Sequence, residues 1–307
     1  MANATGEAKS GPLLLQFNRS VRLLFRGSAI SSDGGLLLHR ELDDALGLTD
    51  LATDLLVDHR TGKNGRHTFV GLLRQSIFSR LAGYEDVNDT DRLCRDPVMR
   101  QLVGGRAVKR GAASASAMGR FETATLTQAE NLAALADLSG HWIDAVHAKR
   151  PSKVIGLDMD SSESPVYGDQ EGAIWNGHFQ SKCLHPLFVF NQFGDLERCV
   201  LRPGNVHSAD GWKELLSPVL ARYSAKARPS IIRRRFRGDA AFAIPGLFDL
   251  LEAEGWDYAI RMKANPKLHE QVAFLTKRPR GRPPNHVVRR YTSFHYRAKI
   301  WSKARRI

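Results

Sequence analysis

Apolar residues recur at helical spacing through the first half of the chain and at strand spacing through the second. Across residues 36–58, Leu42, Leu46, Leu48, Leu55 and Leu56 form an apolar stripe with one break at Gly47. Phe69, Leu72, Leu73, Ile77 and Leu81 mark the buried face of a helix over residues 68–81. Residues 90–95 and 97–103 read as short helices divided by Pro97, because the residue before a proline is pushed out of helical backbone. Residues 126–147 form a longer helix, with Leu132, Leu135, Leu138, Trp142, Ile143 and Val146 on or near one side. Ahead of these helices, residues 13–38 read as short strands or a hairpin. Residues 104–119 are basic and rich in Gly, Ala and Ser, and read as a loop.

The pattern changes at Pro151. Residues 154–159 and 187–190 are short apolar runs with the length of strands. Residues 197–201 pair with the second run across the turn from Asn191 to Asp195. Residues 209–223 form a helix, with Ser208 as a candidate cap and Pro218 weakening its far end. Residues 231–236 lead into Asp239, and residues 244–254 form a helix stopped by Gly255. A strand over 258–262 and a helical piece over 269–275 follow. Residues 277–286 are a basic, Pro- and Gly-rich loop, and residues 291–301 alternate aromatic and basic side chains as a strand does. The resulting β-β-β-α-β-α-β order predicts an α/β fold, a mixed sheet flanked by helices. The expected organisation is a flexible leader (1–12), a mainly helical region (13–150) and the α/β region (151–307).

At 307 residues the chain is long enough for two or three domains, or for one large α/β domain with a helical extension. Its 42% hydrophobic and 25% charged residues are an ordinary globular balance. Lysine and arginine number 45 against 32 acidic residues, a net charge of +13, which points to a polyanionic partner. Arg233-Arg234-Arg235 and Arg305-Arg306 sharpen that expectation, since guanidinium groups suit phosphate. Cys94, Cys183 and Cys199 have no close-paired spacing, which argues against a disulfide framework and fits a reducing, cytoplasmic setting. No run has the length of a signal core or a membrane span.

The candidate chemistry lies in two aspartate motifs. One is Val154-Ile155-Gly156-Leu157-Asp158-Met159-Asp160, and the other is Phe236-Arg237-Gly238-Asp239. On a strand, Asp158 and Asp160 share a face, and Asp239 stands at a strand end. Carboxylates in such places are poor core members unless they hold a cation or cap a turn. Two hard divalent metals can activate a nucleophile and stabilise a leaving oxygen, so on a basic chain the motifs suggest a phosphodiester-cleaving site. The alternative is that Asp158 and Asp239 are ordinary turn acids. Lys182 and Arg202 read as phosphate contacts or as solvated charge. Asn205 and His207 either position a strand end or touch DNA. Arg233, Arg234 and Arg235 are further candidates for DNA contact. Trp175 and Phe179 offer base stacking or plain packing. His178, His185, His207 and Cys183 match no structural zinc spacing. A Ser162–His–Asp239 hydrolase lacks the Gly-x-Ser-x-Gly elbow, and no phosphate-binding Gly-Lys-Ser/Thr loop is present.

Several of these segments together resemble the DDE transposases of the IS1380 group. They include Leu157-Asp158-Met159-Asp160-Ser161-Ser162-Glu163, Asn176-Gly177-His178 and His185-Pro186-Leu187. Further matches are Asn191-Gln192-Phe193-Gly194-Asp195, Leu201-Arg202-Pro203-Gly204-Asn205-Val206-His207-Ser208 and Arg237-Gly238-Asp239-Ala240-Ala241-Phe242. The N-terminal segments Arg66-His67-Thr68-Phe69, Gly83-Tyr84-Glu85-Asp86 and Asp96-Pro97 resemble that group as well. The resemblance implies an RNase H-like catalytic core in which two aspartates and a later glutamate hold Mg²⁺, or Mn²⁺ in its place. It implies double-stranded DNA partners, the terminal repeats of an insertion sequence and a target, bound by a homo-oligomer in the bacterial cytoplasm. Asp160 is the first carboxylate it implies, with Asp158 as alternative or support, and Asp239 is the second. Glu252, Glu254 and Glu270 are poor substitutes for the glutamate. The expectation is therefore a C-terminally truncated transposase, inactive alone. The alternative is a non-catalytic DNA-binding remnant or regulator of transposition.

Overall fold

The computed structural model describes residues 13–23, 33–61, 65–277, 281–282 and 284–307. The expected leader, residues 1–12, lies outside them, as does part of the basic loop. Two compact units divide the chain, Met1–Arg150 and Pro151–Ile307.

The first unit begins with an antiparallel hairpin, β1 (Leu13–Leu15) and β2 (Asn18–Leu23). Helices α1 (Leu36–Leu46) and α2 (Leu48–Leu55) meet at the expected break, Gly47. Helix α3 (Phe69–Leu81) starts where Thr68 accepts a hydrogen bond from the Gly71 N–H. Short helices α4 (Thr90–Leu93) and α5 (Pro97–Val103) follow, the latter capped by Asp96 with Pro97 in its first turn. The segment expected as a loop instead contains α6 (Ala107–Arg110) and α7 (Ala115–Arg120). Its alanines favour helix, and burial of Ala107 and Met118 fixes it, so packing overrides the glycine content. A π-turn (Phe121–Thr125) leads into α8 (Ala129–Lys149).

α3 serves two hydrophobic clusters. Phe78 joins Leu15, Leu37, Met99 and Leu102, while Leu72 and Leu73 join Ala52, Met118, Phe121 and Leu138. Fully buried Gln75 spans the gap, bonding both the N–H and the C=O of Ala113 at 2.7 and 2.8 Å.

The second unit is built on a five-stranded mixed sheet. Its strands are β3 (Val154–Ser161), β7 (Leu187–Asn191), β8 (Leu196–Val200), β9 (Arg233–Gly238) and β10 (Asp257–Ile260), in the order β10-β9-β3-β7-β8. β3, β9 and β10 run parallel, and β7 and β8 are antiparallel to their neighbours. Helices α9 (Trp212–Arg222) and α10 (Pro245–Ala253) cover one face. Leu215, Leu216, Val219, Leu220, Leu247 and Leu251 pack there against Ile155, Leu157, Met159, Val189 and Phe236. This is the expected strand–helix order and a mixed α/β fold of RNase H-like type.

Between β3 and β7 the chain adds a three-stranded antiparallel sheet of β4 (Ser164–Pro165), β5 (Ile174–Asn176) and β6 (Ser181–Leu184). Gly204 lies against it so closely that a Cβ would stand 2.2 Å from the Cys183 carbonyl oxygen and 2.4 Å from that of Ile174. Only glycine fits there.

Two local expectations are corrected. Ser208 does not cap α9, which starts after Gly211, because the carbonyls of His207, Ser208 and Asp210 accept from Arg202 instead of entering the helix. The stretch 291–301 holds only β11 (His295–Tyr296), paired with β12 (Arg305–Arg306). Trp301 packs inward, meeting Tyr296 and Phe248 edge-on rather than lining a sheet face, while Tyr291 stays exposed. Helix α11 (Pro266–Thr276) precedes this hairpin. Among the described residues no helix is long and apolar enough to cross a membrane.

Candidate active site

β3 carries core and chemistry on opposite faces. Ile155, Leu157 and Met159 are buried against the helices, so Gly156, Asp158 and Asp160 face the other way. The parallel register with β9 pairs Gly156 with Arg235, Asp158 with Arg237 and, last, Met159 with Gly238. The next residues on the two strands are Asp160 and Asp239. Both stand at the carboxyl ends of neighbouring parallel strands, the edge where α/β sheets bind ligands.

Asp160 and Asp239 are exposed. Asp160 accepts from the Ser161 N–H at 2.8 Å, and Asp239 accepts from the Ala241 N–H at 2.9 Å, capping the short turn Ala240–Phe242. Among the described residues no lysine or arginine pairs with either carboxylate. Asp158 differs. Arg237 donates to both its oxygens, Nε at 2.5 Å to Oδ1 and Nη2 to Oδ2. These hydrogen bonds, with the charge of Asp158, hold the Arg237 guanidinium above its ordinary pKa. The charge of Asp158 is thus already balanced, and that of Asp160 is not.

Two unpaired hard-oxygen donors suit Mg²⁺ or Mn²⁺ in chemical type. Among the described residues no group of three His, Cys, Asp or Glu side chains is placed to hold a metal. Glu252 is committed elsewhere. Arg305 donates to both its oxygens, with Tyr258 and Lys303 also in contact. Led by the Arg305 hydrogen bonds, these contacts bring its pKa down to about 2.

Past the Asp158–Arg237 pair, a concave space of about 510 Å³ opens, lined in part by Val154, Gly156, Gln192, Arg235, Arg237 and Ala259. Gln192 fastens this side of β3, accepting from the Gly156 N–H and donating to the Val154 carbonyl, each at 2.9 Å.

The expected DNA contacts separate into two kinds. Arg233 and Arg235 are exposed on β9, sharing a face with Arg237. Arg234 points the other way and donates to the carbonyls of Tyr223 and Arg228. Arg202 is buried and donates to the carbonyls of His185, His207, Ser208 and Asp210. Neither Arg202 nor Arg234 is a free surface charge, because each closes backbone acceptors at a chain turn. Lys182 pairs with exposed Asp169 at 2.8 Å, and Asn205 and His207 are exposed. Trp175 is exposed, while Phe179 packs edge-on against His185 with ring centres 5.3 Å apart.

Arg237 is the residue that the sequence reading passed over. Its signal was available: Arg237 and Asp239 repeat on β9 the two-residue spacing of Asp158 and Asp160 on β3.

The model of one family, described as Transposase DDE domain group 1, matches residues 14–307. No curated protein matches the chain. Solved structures similar to it include a piggyBac transposase synaptic complex with hairpin DNA, at 13% identity and a TM-score of 0.36, covering 85% of this chain and 56% of that one. A Mos1 transposase paired-end complex with left transposon end has 15% identity and a TM-score of 0.23, covering 66% of this chain and 61% of that one. A Mos1 mariner paired-end complex with Mn has 15% identity and a TM-score of 0.24, covering 81% and 75%. The chain thus spans little more than half the length of the piggyBac chain.

Proposed function

The chain belongs to the transposase DDE domain group 1 family, the IS1380 group, and on that premise we propose that it supplies the aspartate pair of a metal-dependent DNA cleavage and strand-transfer site. What supports this reading is that Asp160 and Asp239 directly follow the last register pair of two parallel strands and carry no cationic partner among the described residues. The two carboxylates would hold Mg²⁺, or Mn²⁺ in its place. A bound cation would activate the attacking water or 3′-hydroxyl and stabilise the leaving oxygen. Asp158, neutralised by Arg237, supports Asp160 rather than binding metal itself. Arg233 and Arg235 hold phosphates beside the site, and Lys182, Asn205 and His207 are outlying contacts. The helical region, residues 13–150, takes part in holding DNA. The DNA partners are insertion-sequence terminal repeats and then target DNA, bound by a homo-oligomer in the bacterial cytoplasm. A complete site of this kind takes a later glutamate as its third carboxylate, so cleavage by this pair alone is expected to be weak or absent.

A second reading, DNA binding without cleavage, is favoured by one observation: the described residues bring no third ligand to the pair. Both readings are tested by incubating the chain with labelled terminal-repeat duplex and Mg²⁺ or Mn²⁺, beside Asp158→Asn, Asp160→Asn and Asp239→Asn. Cleavage that survives Asp158→Asn and disappears in the other two supports the catalytic reading. Duplex binding with neither cleavage nor Mn²⁺ binding that depends on Asp160 and Asp239 supports the second. Cleavage indifferent to Asp239→Asn refutes the proposed metal pair.

A further inference from the structure

The N-terminal segment Arg66-His67-Thr68-Phe69 is left unused by the proposed catalytic chemistry. In the fold, Arg66, His67 and Thr68 line one wall of a cavity of about 250 Å³ at the start of α3. The facing wall is the turn from α5 into α6, Val103 to Ala107. The walls meet at Gly71, where a Cβ would stand 3.3 Å from the Val103 side chain. Gly104 and Gly105 then turn the chain at φ of +76° and +56° and bring Arg106 to the cavity. Arg100 holds that turn by donating to the Ala107 carbonyl at 3.0 Å. Arg66 ties one wall to the end of α6, donating to the Arg110 carbonyl at 2.7 Å. The cavity is therefore built between fastened segments.

Its lining carries one sign of charge. Arg66, His67, Arg74 and Arg106 contribute to it, and no acidic side chain does. Arg74 is partly balanced, with Asp43 at 3.6 Å and Asp44 and Asp50 at 3.9 Å. Among the described residues no carboxylate pairs with Arg66 or Arg106. Arg106 is exposed, and its side chain holds no other part of the described fold. Burial first, and then the charges of Arg66 and Arg60, push the His67 imidazole below its ordinary pKa. The Gly71 N–H at the head of α3 is already taken by Thr68, so an anion here would be met by guanidinium groups. Guanidinium forks suit phosphate oxygens, to which each can donate twice. The volume falls below the roughly 300–1,000 Å³ of a small-molecule site, so it fits a phosphate group better than a whole nucleotide.

We propose that this cavity seats a backbone phosphate of duplex DNA, with Arg66 and Arg106 as the donors. The inference rests on the reading of the chain as a DNA-binding protein, and it gives the helical region a specific point of grip. A contact of this kind positions the duplex without reading its sequence.

The test uses the full chain, with fluorescence anisotropy on an A·T-rich and a G·C-rich duplex of equal length across a salt series. Arg106→Ala should lower affinity for both duplexes by roughly tenfold, the scale of one charge-assisted hydrogen bond. The slope of log affinity against log salt should become shallower by about 1. Val70→Glu places a carboxylate on the cavity wall in the first turn of α3, where helices tolerate acids, and should weaken binding at least as much at an unchanged denaturant midpoint. Arg95→Ala removes an exposed charge outside the cavity and should cost far less. Asp160→Asn should leave all these differences intact even where it abolishes cleavage, which separates this inference from the catalytic reading. Inorganic phosphate, titrated at constant ionic strength, distinguishes the source of the anion. If Arg106→Ala removes phosphate binding and leaves duplex binding unchanged, the cavity takes a free anion and the proposal is overturned. Equal losses in Arg95→Ala and Arg106→Ala also overturn it, because the effect is then one of overall charge. A chain that binds no duplex at all overturns this inference and the DNA-binding premise together.

Discussion

Arg237 and Asp158 are register partners on adjacent parallel strands, joined through both carboxylate oxygens two residues short of Asp160 on β3 and two short of Asp239 on β9. The pair is solvent-facing, with side-chain exposures of 68% and 36%. Exposed pairs of this kind contribute less than about 1 kcal/mol. Asp158→Ala is therefore expected to shift unfolding stability by no more than that. Arg237→Ala should act differently at the site. It leaves Asp158 as a free carboxylate beside Asp160, and Mn²⁺ titration should show tighter or additional binding. Unchanged Mn²⁺ binding in Arg237→Ala would mean that the pair does not isolate Asp158 from the metal.

Arg202 and Arg235 look alike in sequence and should fail differently. Arg202→Ala strips the donor from a set of buried carbonyls and should cost about 2–4 kcal/mol, visible as a lower denaturant midpoint. Arg235→Ala should leave stability within about 0.5 kcal/mol. Its effect should be weaker DNA binding, with a log-affinity against log-salt slope shallower by about 1. An intact midpoint in Arg202→Ala would contradict the buried role.

The hairpin of β11 and β12 is held to α10 by Arg305, which bonds Glu252 and Asp249 and lies over the rings of Phe248 and Trp301. The pKa of Glu252 falls to about 2, led by the Arg305 hydrogen bonds. A carboxyl lowered on folding stabilises the fold fully above its unfolded pKa, near 4.5, and loses that contribution as pH falls towards about 2. Glu252→Gln should therefore lower stability near pH 7, by about 1–2 kcal/mol after solvent screening. The difference from the parent should shrink progressively below about pH 4.5. Parallel stability curves for the two proteins across that range would show that the contact does not depend on the Glu252 charge.

Gly204→Ala should be the most damaging small substitution in the second unit. The new methyl meets two backbone oxygens that cannot move without opening β5 and β6. A loss above about 2 kcal/mol is expected. Hydrogen exchange should in fact show β5 and β6 exposed first. Unchanged exchange there would mean that the close approach relaxes at little cost.

The sheet was legible because β3 and β7 are short apolar runs of strand length and β9 follows a helix of clear period. The aspartate motifs were legible for the same reason, since strand spacing alone puts Asp158 and Asp160 on one side. Arg202 and Arg234 were not legible as residues tied into the fold, because an arginine that satisfies carbonyls is spelled like one that meets phosphate. The helices α6 and α7 were hidden by glycines at their boundaries. The small sheet of β4, β5 and β6 was missed because its strands are two to four residues long and carry no run of apolar alternation. Ser208 was misread because a side chain distant in sequence, Arg202, claims the carbonyls that a helix would have used.

The alternation along β3 has one more outcome. Slip this strand by a single residue and Ile155, Leu157 and Met159 would turn to water while Asp158 and Asp160 entered the apolar interior. Such a molecule would forfeit its core and bury two charges at once. Misaligned copies are therefore weeded out by folding itself, and a population that has folded is one in which the carboxylates have been delivered to the correct side.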